Sequence, residues 1–311
     1  MFFQNLTDIK KIKFNKLHYS IINYRHIKIN LINLILIIII LIISFSCMNE
    51  IDFDIPASKS RIVVDGWIER GEYPIVVLTR STSYFTVVDS ASFVDFVELR
   101  AKVTISNNEK TEVLTLKRNK SKFPQYFYTG SEIIGEIGKT YFLEVKYYDT
   151  ILTATTTIPR VPPIDTAWFE PKDNADSVGI IRFQFVDNPS EKNYYRVLYK
   201  IENEMNEFVP AYLSAIEDSY INGNIVKFSL YQGVSNPLDN KRSIYFNRKN
   251  TVIIKLSAID EASYFFWRGY QVEMMNSVNP FASISFNMKS NIEGFGFGIW
   301  SGADVTFYRF K

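Results

Sequence analysis

Short segments in which apolar and polar residues alternate recur along most of this chain, and they constrain its fold more than any other feature. Residues 101–106 and 140–147 alternate with a period of two, and Asn107-Asn108 marks a turn after the first. Alternation of that period places every second side chain on the same face of a β-strand. Phe, Tyr and Trp, which favour strands, make up 15% of the chain. The sequence therefore predicts an all-β protein.

Seven strand-like segments at short spacing between residues 60 and 158 are typical of an immunoglobulin-like β-sandwich. They are residues 61–69, 74–80, 101–106, 112–117, 126–128, 140–147 and 152–158. The Pro-Arg-Val-Pro-Pro segment at residues 159–163 follows. Proline cannot donate to a β-ladder and holds the chain extended, so we predict a linker and a domain boundary there.

A second β-rich sandwich domain is predicted over residues 164–311. Its strand-like segments are residues 165–169, 180–185, 194–201, 225–231, 251–259 and 305–309, the last preceded by a Gly-rich run. Asp260 is suited to cap a helix over about residues 261–276, because its carboxylate can accept hydrogen bonds from the first free amides. The prediction for this half is a sandwich with one packed α-helix.

The amino-terminal 46 residues have the order of a secretory signal. Residues 1–28 are basic and polar, residues 29–45 are mostly apolar, and Cys47 directly follows Ser46. This order resembles the lipobox of bacterial lipoproteins, in which the cysteine is acylated and becomes the first residue, although Ser44 stands where Leu is usual. We predict cleavage after residue 46 and a lipid on Cys47. The alternative is a retained membrane helix, since about 17–25 apolar residues can span a bilayer.

Residues 47–59 are predicted to be an acidic tether. Glu50, Asp52 and Asp54 resemble the export signal that sends some lipoproteins to the outer face of the outer membrane in Bacteroidota. The alternative is a solvated tether that carries no signal. The predicted location is the outer membrane, with a lipid anchor and, if the signal operates, exposure at the cell surface.

Loss of the signal would remove every histidine, because His18 and His26 both lie within it. Cys47 is the sole cysteine of the chain. A mature chain of this composition excludes Ser-His-Asp and Cys-His catalysis, His-based zinc sites and an intramolecular disulfide. We therefore predict no catalytic residues, no metal and no cofactor, and a protein that is not an enzyme.

The net charge of the mature chain argues against nucleic acid as a partner. Six basic residues and one acid lie before residue 47, so their removal changes the net charge from +2 to −3. The remaining sequence has no long basic stripe with interleaved aromatic residues, which nucleic-acid binding would favour.

Several short motifs together resemble an uncharacterised lipoprotein family. They are residues 62–68, 78–81, 128–130, 138–141, 154–159, 279–282 and 290–294. They are spread over the mature chain and resemble the domain-of-unknown-function 4249 family of Bacteroidota. The resemblance implies an outer-membrane lipoprotein whose gene often neighbours a TonB-dependent receptor, and thus an accessory role in nutrient uptake. It supplies no catalytic residues.

Two segments are candidate binding sites. Asn291, Glu293 and Gly294 lie in a Gly-rich stretch suited to a loop whose backbone approaches a partner, and the alternative is a tight turn before a buried strand. Tyr84 and Phe85 could form an aromatic platform for a sugar or peptide, or they could cover the end of the sandwich.

The favoured function is that of a non-catalytic binding or accessory protein, which partners a TonB-dependent receptor and an unknown ligand. A carboxylate-based surface hydrolase of glycans is one alternative, because paired acids are the one catalytic device left. A structural or adhesive surface protein is the other.

Overall fold

The computed structural model describes residues 60–82, 92–121, 123–173, 175–219, 223–233, 243–276 and 288–311, together with residues 35, 36 and 38. The predictions for the signal segment, for Cys47 and for Tyr84 and Phe85 lie outside these residues. Ser58–Lys311 form one compact unit. Among the described residues, no helix has the length and apolar character needed to cross a bilayer.

Sixteen strands and one α-helix make up most of the described unit, which confirms the predicted sandwich-like all-β fold with one helix. The strands are β1 (Ile62–Glu69), β2 (Ile75–Arg80), β3 (Lys102–Ser106), β4 (Thr111–Val113), β5 (Thr115–Arg118), β6 (Tyr126–Thr129), β7 (Thr140–Tyr147), β8 (Thr150–Thr157), β9 (Thr166–Lys172), β10 (Ala175–Val186), β11 (Tyr194–Ile201), β12 (Val209–Glu217), β13 (Ile225–Leu230), β14 (Phe246–Asn247), β15 (Val252–Ile259) and β16 (Gly296–Phe310). The helix α1 spans Glu261–Asn276, and a 3-10 helix spans Ser92–Phe96.

An eight-stranded sheet in the order β12-β11-β15-β16-β1-β2-β6-β5 is the main layer of the fold. Its described pairs are antiparallel apart from β1 and β16, which run parallel with Val64 opposite Gly298. Two four-stranded sheets complete the fold: one has the order β4-β3-β7-β8, and in the other β10 pairs with β9, β13 and β14.

Both smaller sheets cover the same face of the large sheet. Even-numbered residues of β1 and β16, such as Val64 and Trp300, join the core formed with Tyr141 of β7. Alternate residues of β11 and β15, such as Tyr195 and Leu256, join a second core with β10. The registers of these strands place all of these side chains on one face.

The predicted boundary at residues 159–163 separates two hydrophobic cores but not two sheets. The first core draws mainly on residues before this segment and the second on residues after it. However, β16 pairs with β1 from the first half and with β15 from the second. The segment is also fixed to the sheet, since the amide of Val161 donates to Oδ2 of Asp304 at 2.9 Å.

The helix α1 packs on the opposite face of the large sheet and begins where it was predicted. The amide of Ser263 donates to Oδ1 of Asp260 at 2.8 Å, which satisfies one of the free N–H groups of the first turn. Tyr264 is buried against Ala303 and Val305 of β16. One face of the sheet therefore carries the cores, and the other carries α1.

Several strands differ from the sequence prediction. Residues 112–117 were predicted as one strand, but β4 pairs with β3 while β5 pairs with β6 in the large sheet. Burial alternates without a break through this segment, so its pattern cannot reveal a change of sheet. The last strand begins at Gly296, well before the predicted residue 305. The strand β12 was not predicted, because Pro210 within it is typical of a break; proline is tolerated here since β12 is an edge strand.

Candidate functional site

Two pockets open on the face of the large sheet that carries α1. The first, here called the apolar pocket, has a volume of about 400 Å³ and lies between α1 and β12. The second, here called the acidic pocket, has a volume of about 500 Å³ and lies over β1, β11 and β15. Arg196 and Trp267 line both pockets, so the two cavities meet at this pair. We call the two pockets together the cleft.

Strand alternation fixes which side chains face the cleft. Tyr195 and Val197 of β11 lie in the core, so Arg196 between them points to the other face. In β1, the even-numbered Val64 and Ile68 are core residues. The odd-numbered Asp65 therefore faces the cleft.

Arg196 and Trp267 form the centre of the cleft. The guanidinium carbon of Arg196 lies 3.4 Å from the ring centroid of Trp267, a stacking geometry in which cation–π attraction is strong. The Nε atom of Arg196 is buried, and no described residue accepts a hydrogen bond from it. Stacking on an indole leaves the edge of a guanidinium available for hydrogen bonds, and Arg196 lines both pockets.

The electrostatic surroundings of Arg196 show that it is only partly compensated. Burial lowers the pKa of the guanidinium to about 10, and the negative charge of Asp65 is the largest effect that opposes this. Arg196 therefore stays protonated at neutral pH. Burial by the surrounding protein also raises the pKa of Asp65, and Arg196 offsets part of the rise. Asp65 remains accessible to solvent, as expected for a side chain at the bottom of a recess.

Carboxylates and aromatic rings line the acidic pocket. Its acids are Asp65, Glu69, Glu72 and Glu207, and its rings include Trp67, Tyr73 and Phe208. Nζ of Lys255 donates to Oε1 of Glu69 at 2.5 Å, with both side chains largely buried. Glu69 is thus neutralised within the protein, whereas no described ion pair joins Lys255 to the other acids of the pocket.

The apolar pocket is a groove between a helix and an edge strand. The helix contributes Tyr270, Met274 and Met275 from successive turns, and β12 contributes Val209 and Leu213.

Its polar groups are largely satisfied by each other. Nε2 of Gln271 donates to the hydroxyl of Ser214 at 3.0 Å, and Oε1 of Gln271 accepts from the amide of Ala215 at 3.4 Å. Arg196 is the only charged residue in the described lining of this pocket.

A β-bulge in β12 opens the groove. The pairing of β12 with β11 shifts register between Arg196 and Leu198, and Leu213 adopts a φ of 54°. Non-glycine residues rarely adopt such a left-handed conformation, and bulges often occur beside binding sites, where they redirect side chains. The described residues contain no group of three or more His, Cys, Asp or Glu able to hold a metal ion.

The predicted loop at Asn291, Glu293 and Gly294 lies away from the lining of the cleft. Both ends of the Asn291 amide bond to the backbone of Trp300, and Glu293 pairs by backbone hydrogen bonds with Thr153 of β8. Gly294 has a φ of 94°, and a Cβ there would lie 2.5 Å from the carbonyl oxygen of Ile151. Asn291 and Gly294 therefore serve the local structure, and binding by this loop stays a prediction.

Sequence reasoning did not single out Arg196, Asp65 or Trp267. Arg196 stands in an alternating strand, where a charged residue is usually solvated, and Asp65 stands in the same context. The sequence did carry one signal. Arg196 and Asp65 each lie within a predicted strand, between apolar neighbours. Nothing in the sequence placed α1 over these strands.

The family model described as "Domain of unknown function (DUF4249)" matches residues 48–309 of the chain. No curated protein matches the chain.

Proposed function

We infer that this chain, which belongs to the family described as Domain of unknown function (DUF4249), is a lipid-anchored outer-membrane protein that binds a ligand in the cleft without chemical conversion. In this proposal it acts as an accessory to a TonB-dependent receptor during nutrient uptake. The ligand would be held in the cleft until the receptor takes it up.

The observation that carries the binding function is the pair of pockets that meet at Arg196 and Trp267. Small-molecule sites are concave, mostly apolar and supplied with a few well-placed polar groups, and their volumes are commonly about 300–1,000 Å³. Each pocket falls in that range. A buried guanidinium with an unused donor is costly to maintain, by about 1–3 kcal/mol for the missing hydrogen bond, unless a ligand satisfies it.

The location in this proposal rests on the amino-terminal sequence, and the partner rests on the family resemblance. The apolar stretch before Cys47 and the acids after it support a lipid anchor on the outer membrane. The receptor follows from the resemblance to a Bacteroidota family whose genes often neighbour such receptors. Lipoproteins of this kind carry more than one acyl chain, and two or more chains hold a protein firmly at a bilayer.

The test is a mild-detergent purification of the tagged protein from native outer membrane, followed by mass spectrometry. The tag follows Lys311, which is exposed. We expect a TonB-dependent receptor at near-equal amount, and its absence from the Cys47→Ser variant, which would lack the anchor. Recovery of the anchored protein alone would contradict the accessory role and favour an adhesive one.

A second candidate function is hydrolysis of a glycan, which the acids of the acidic pocket favour. Asp65 has a raised pKa, as a general acid needs, and faces the same pocket as Glu72 and Glu207. Incubation with surface polysaccharides and an assay for new reducing ends test it. Product formed by the wild-type protein but not by Asp65→Asn would replace the binding proposal with this one.

A further inference from the structure

We propose that the apolar pocket binds a small organic monoanion, a carboxylate or sulfonate whose acid group meets Arg196 and whose apolar body lies between α1 and β12. This inference rests on the proposed binding function and names the chemical class of the ligand.

The charge of the ligand follows from the lining. Arg196 is the only charged residue in the described lining of the apolar pocket, and its buried Nε has no acceptor. A guanidinium pairs most strongly with planar acid groups, to which it can donate two parallel hydrogen bonds. Stacking against Trp267 holds the guanidinium plane in place, so an incoming acid meets a fixed donor edge. A neutral acceptor would bond to this donor less strongly than an anion, and a cationic ligand would be repelled by the guanidinium.

The apolar body of the ligand follows from the remaining walls. Met274, Met275 and Tyr270 face Val209 and Leu213 across the groove. The amide of Gln271 and the hydroxyl of Ser214 bond to each other and carry no charge, so Arg196 remains the one charged partner for a ligand in the described lining. Methionine side chains adapt to irregular apolar shapes, so this pocket suits a ligand whose apolar body is an alkyl chain or a ring.

The carboxylates of the acidic pocket limit the negative charge that a ligand of the apolar pocket can carry. Asp65 and Glu69 line the acidic pocket together with Arg196, and their negative charges oppose the lowering of the Arg196 pKa by burial, Asp65 more strongly than Glu69. One positive charge that already interacts with nearby carboxylates favours a single negative charge on the ligand. A phosphate dianion would be repelled by Asp65, whereas a carboxylate or sulfonate would be tolerated.

Calorimetry with three six-carbon probes tests the proposal on the full lipidated protein in nanodiscs, with empty nanodiscs subtracted. The probes are hexanesulfonate, 1-hexanol and hexylammonium. We expect hexanesulfonate to bind at least tenfold more tightly than 1-hexanol, and hexylammonium not to bind. Equal affinity for the sulfonate and the alcohol would overturn the role of Arg196.

Two variants distinguish loss of the Arg196 charge from damage to the fold. Arg196→Gln should weaken hexanesulfonate binding at least tenfold, a much larger loss than for 1-hexanol. The matched control is Arg118→Gln, since Arg118 also stacks on an aromatic ring, Tyr126, but lies outside the described lining of both pockets. An equal loss of sulfonate binding in both variants would contradict the proposal. If Arg196→Gln fails to fold, the comparison of probes on the wild-type protein still decides.

A series of chain lengths tests the apolar body. From butanesulfonate to hexanesulfonate, each added methylene should raise affinity about threefold to fourfold, the value expected for full burial of a CH₂ group. Constant affinity along the series would show that the sulfonate is held at the surface as an adventitious ion. Failure of all sulfonates with a receptor still recovered from membranes overturns only the ligand class, because the purification uses no ligand.

Discussion

Asn291 and Trp300 are joined by two hydrogen bonds in which a side chain replaces the backbone of a neighbouring strand. Nδ2 of Asn291 donates to the carbonyl oxygen of Trp300 at 2.8 Å, and the amide of Trp300 donates to Oδ1 of Asn291 at 2.9 Å. Trp300 is fully buried, and its indole N–H donates to the carbonyl oxygen of Tyr141 at 3.0 Å. The pair thus secures β16 at the point where it enters the first core.

Asn291→Ala should therefore lower the free energy of unfolding by about 2 kcal/mol, since it leaves two backbone groups without partners. Urea denaturation measures this. Glu293→Ala is the control, because that side chain is exposed and should change stability by less than about 0.5 kcal/mol. Equal stability of the two variants would show that water replaces the Asn291 amide.

Gly298→Ala should destabilise the protein by about 3 kcal/mol or more, because β16 approaches β1 too closely there for any side chain. Gly298 has a φ of 128°, and a Cβ would lie 1.9 Å from the carbonyl oxygen of Val64. Gly71→Ala is the matched control: its φ is 80° but no atom lies within 4 Å, so only the backbone strain of about 1 kcal/mol applies. Thermal unfolding of both variants compares the two costs, and a larger loss for Gly71→Ala would refute the close approach.

Glu112→Gln should destabilise the protein by about 2 kcal/mol at neutral pH. The carboxylate accepts from the amides of Ser131 at 2.5 Å and Ile133 at 2.9 Å. Burial raises the pKa of Glu112, but these backbone hydrogen bonds outweigh it and lower the pKa overall. Charged acceptors contribute about 1.5–3 kcal/mol to such bonds.

The sign of the pH dependence follows from that lowered pKa. The ionised carboxylate stabilises the fold at neutral pH, and this contribution is lost as pH falls through the folded-state pKa. The difference between wild type and Glu112→Gln should therefore shrink in acid, as measured by urea midpoints across pH. Glu132→Gln, which removes an exposed neighbouring acid, should show no such difference.

Asp65→Asn should raise stability at neutral pH, because desolvation within the acidic pocket raises the pKa of Asp65 even though the side chain is accessible to solvent, and its ionised form is disfavoured in the folded protein. The stabilising effect of the variant should disappear as pH falls below the ordinary range of an aspartate, about 3.9, where both side chains are neutral. Urea midpoints at neutral and acid pH measure this, with the exposed turn residue Asp149→Asn as control. A less stable Asp65→Asn at neutral pH would mean that attraction to Arg196 outweighs burial.

Cys47→Ser should move the protein from the membrane pellet to the soluble fraction after export, because the lipid would be absent. Fractionation with immunoblotting detects the change, and mass spectrometry of the amino-terminal peptide detects the acyl chains of the wild-type protein. Met48→Ser is a control beside the same site and should stay in the pellet. A Cys47→Ser protein that remains membrane-bound would favour the retained helix instead.

Much of the strand content could be predicted from alternation alone. The segments at β7, β11 and β15 alternate over much of their length, and their bounds fall within one residue of those predicted. The helix cap at Asp260 was likewise predicted from neighbouring residues, and the helix begins directly after it. Such features depend only on neighbours in the sequence, which explains why they could be predicted.

The pairing of strands and the position of the cleft depend on contacts between distant residues, which alternation does not specify. No local pattern indicates that β16 lies between β1 and β15. The cleft needs β1, β11, β12 and α1 in place before Asp65, Arg196 and Trp267 meet. Two of the predicted site residues, Asn291 and Gly294, have structural contacts within their own loop, and binding by that loop stays a prediction.

The parallel pairing of β1 with β16 also determines when this protein can finish folding. Arg70 at the end of β1 donates to the carbonyl oxygen of Val305, 235 residues further along. One edge of β1 therefore stays open until β16 pairs with it, and an open strand edge invites aggregation. Contacts of such long range also slow folding. A chain truncated before β16 would therefore leave this edge of β1, and the facing edge of β15, without a partner strand.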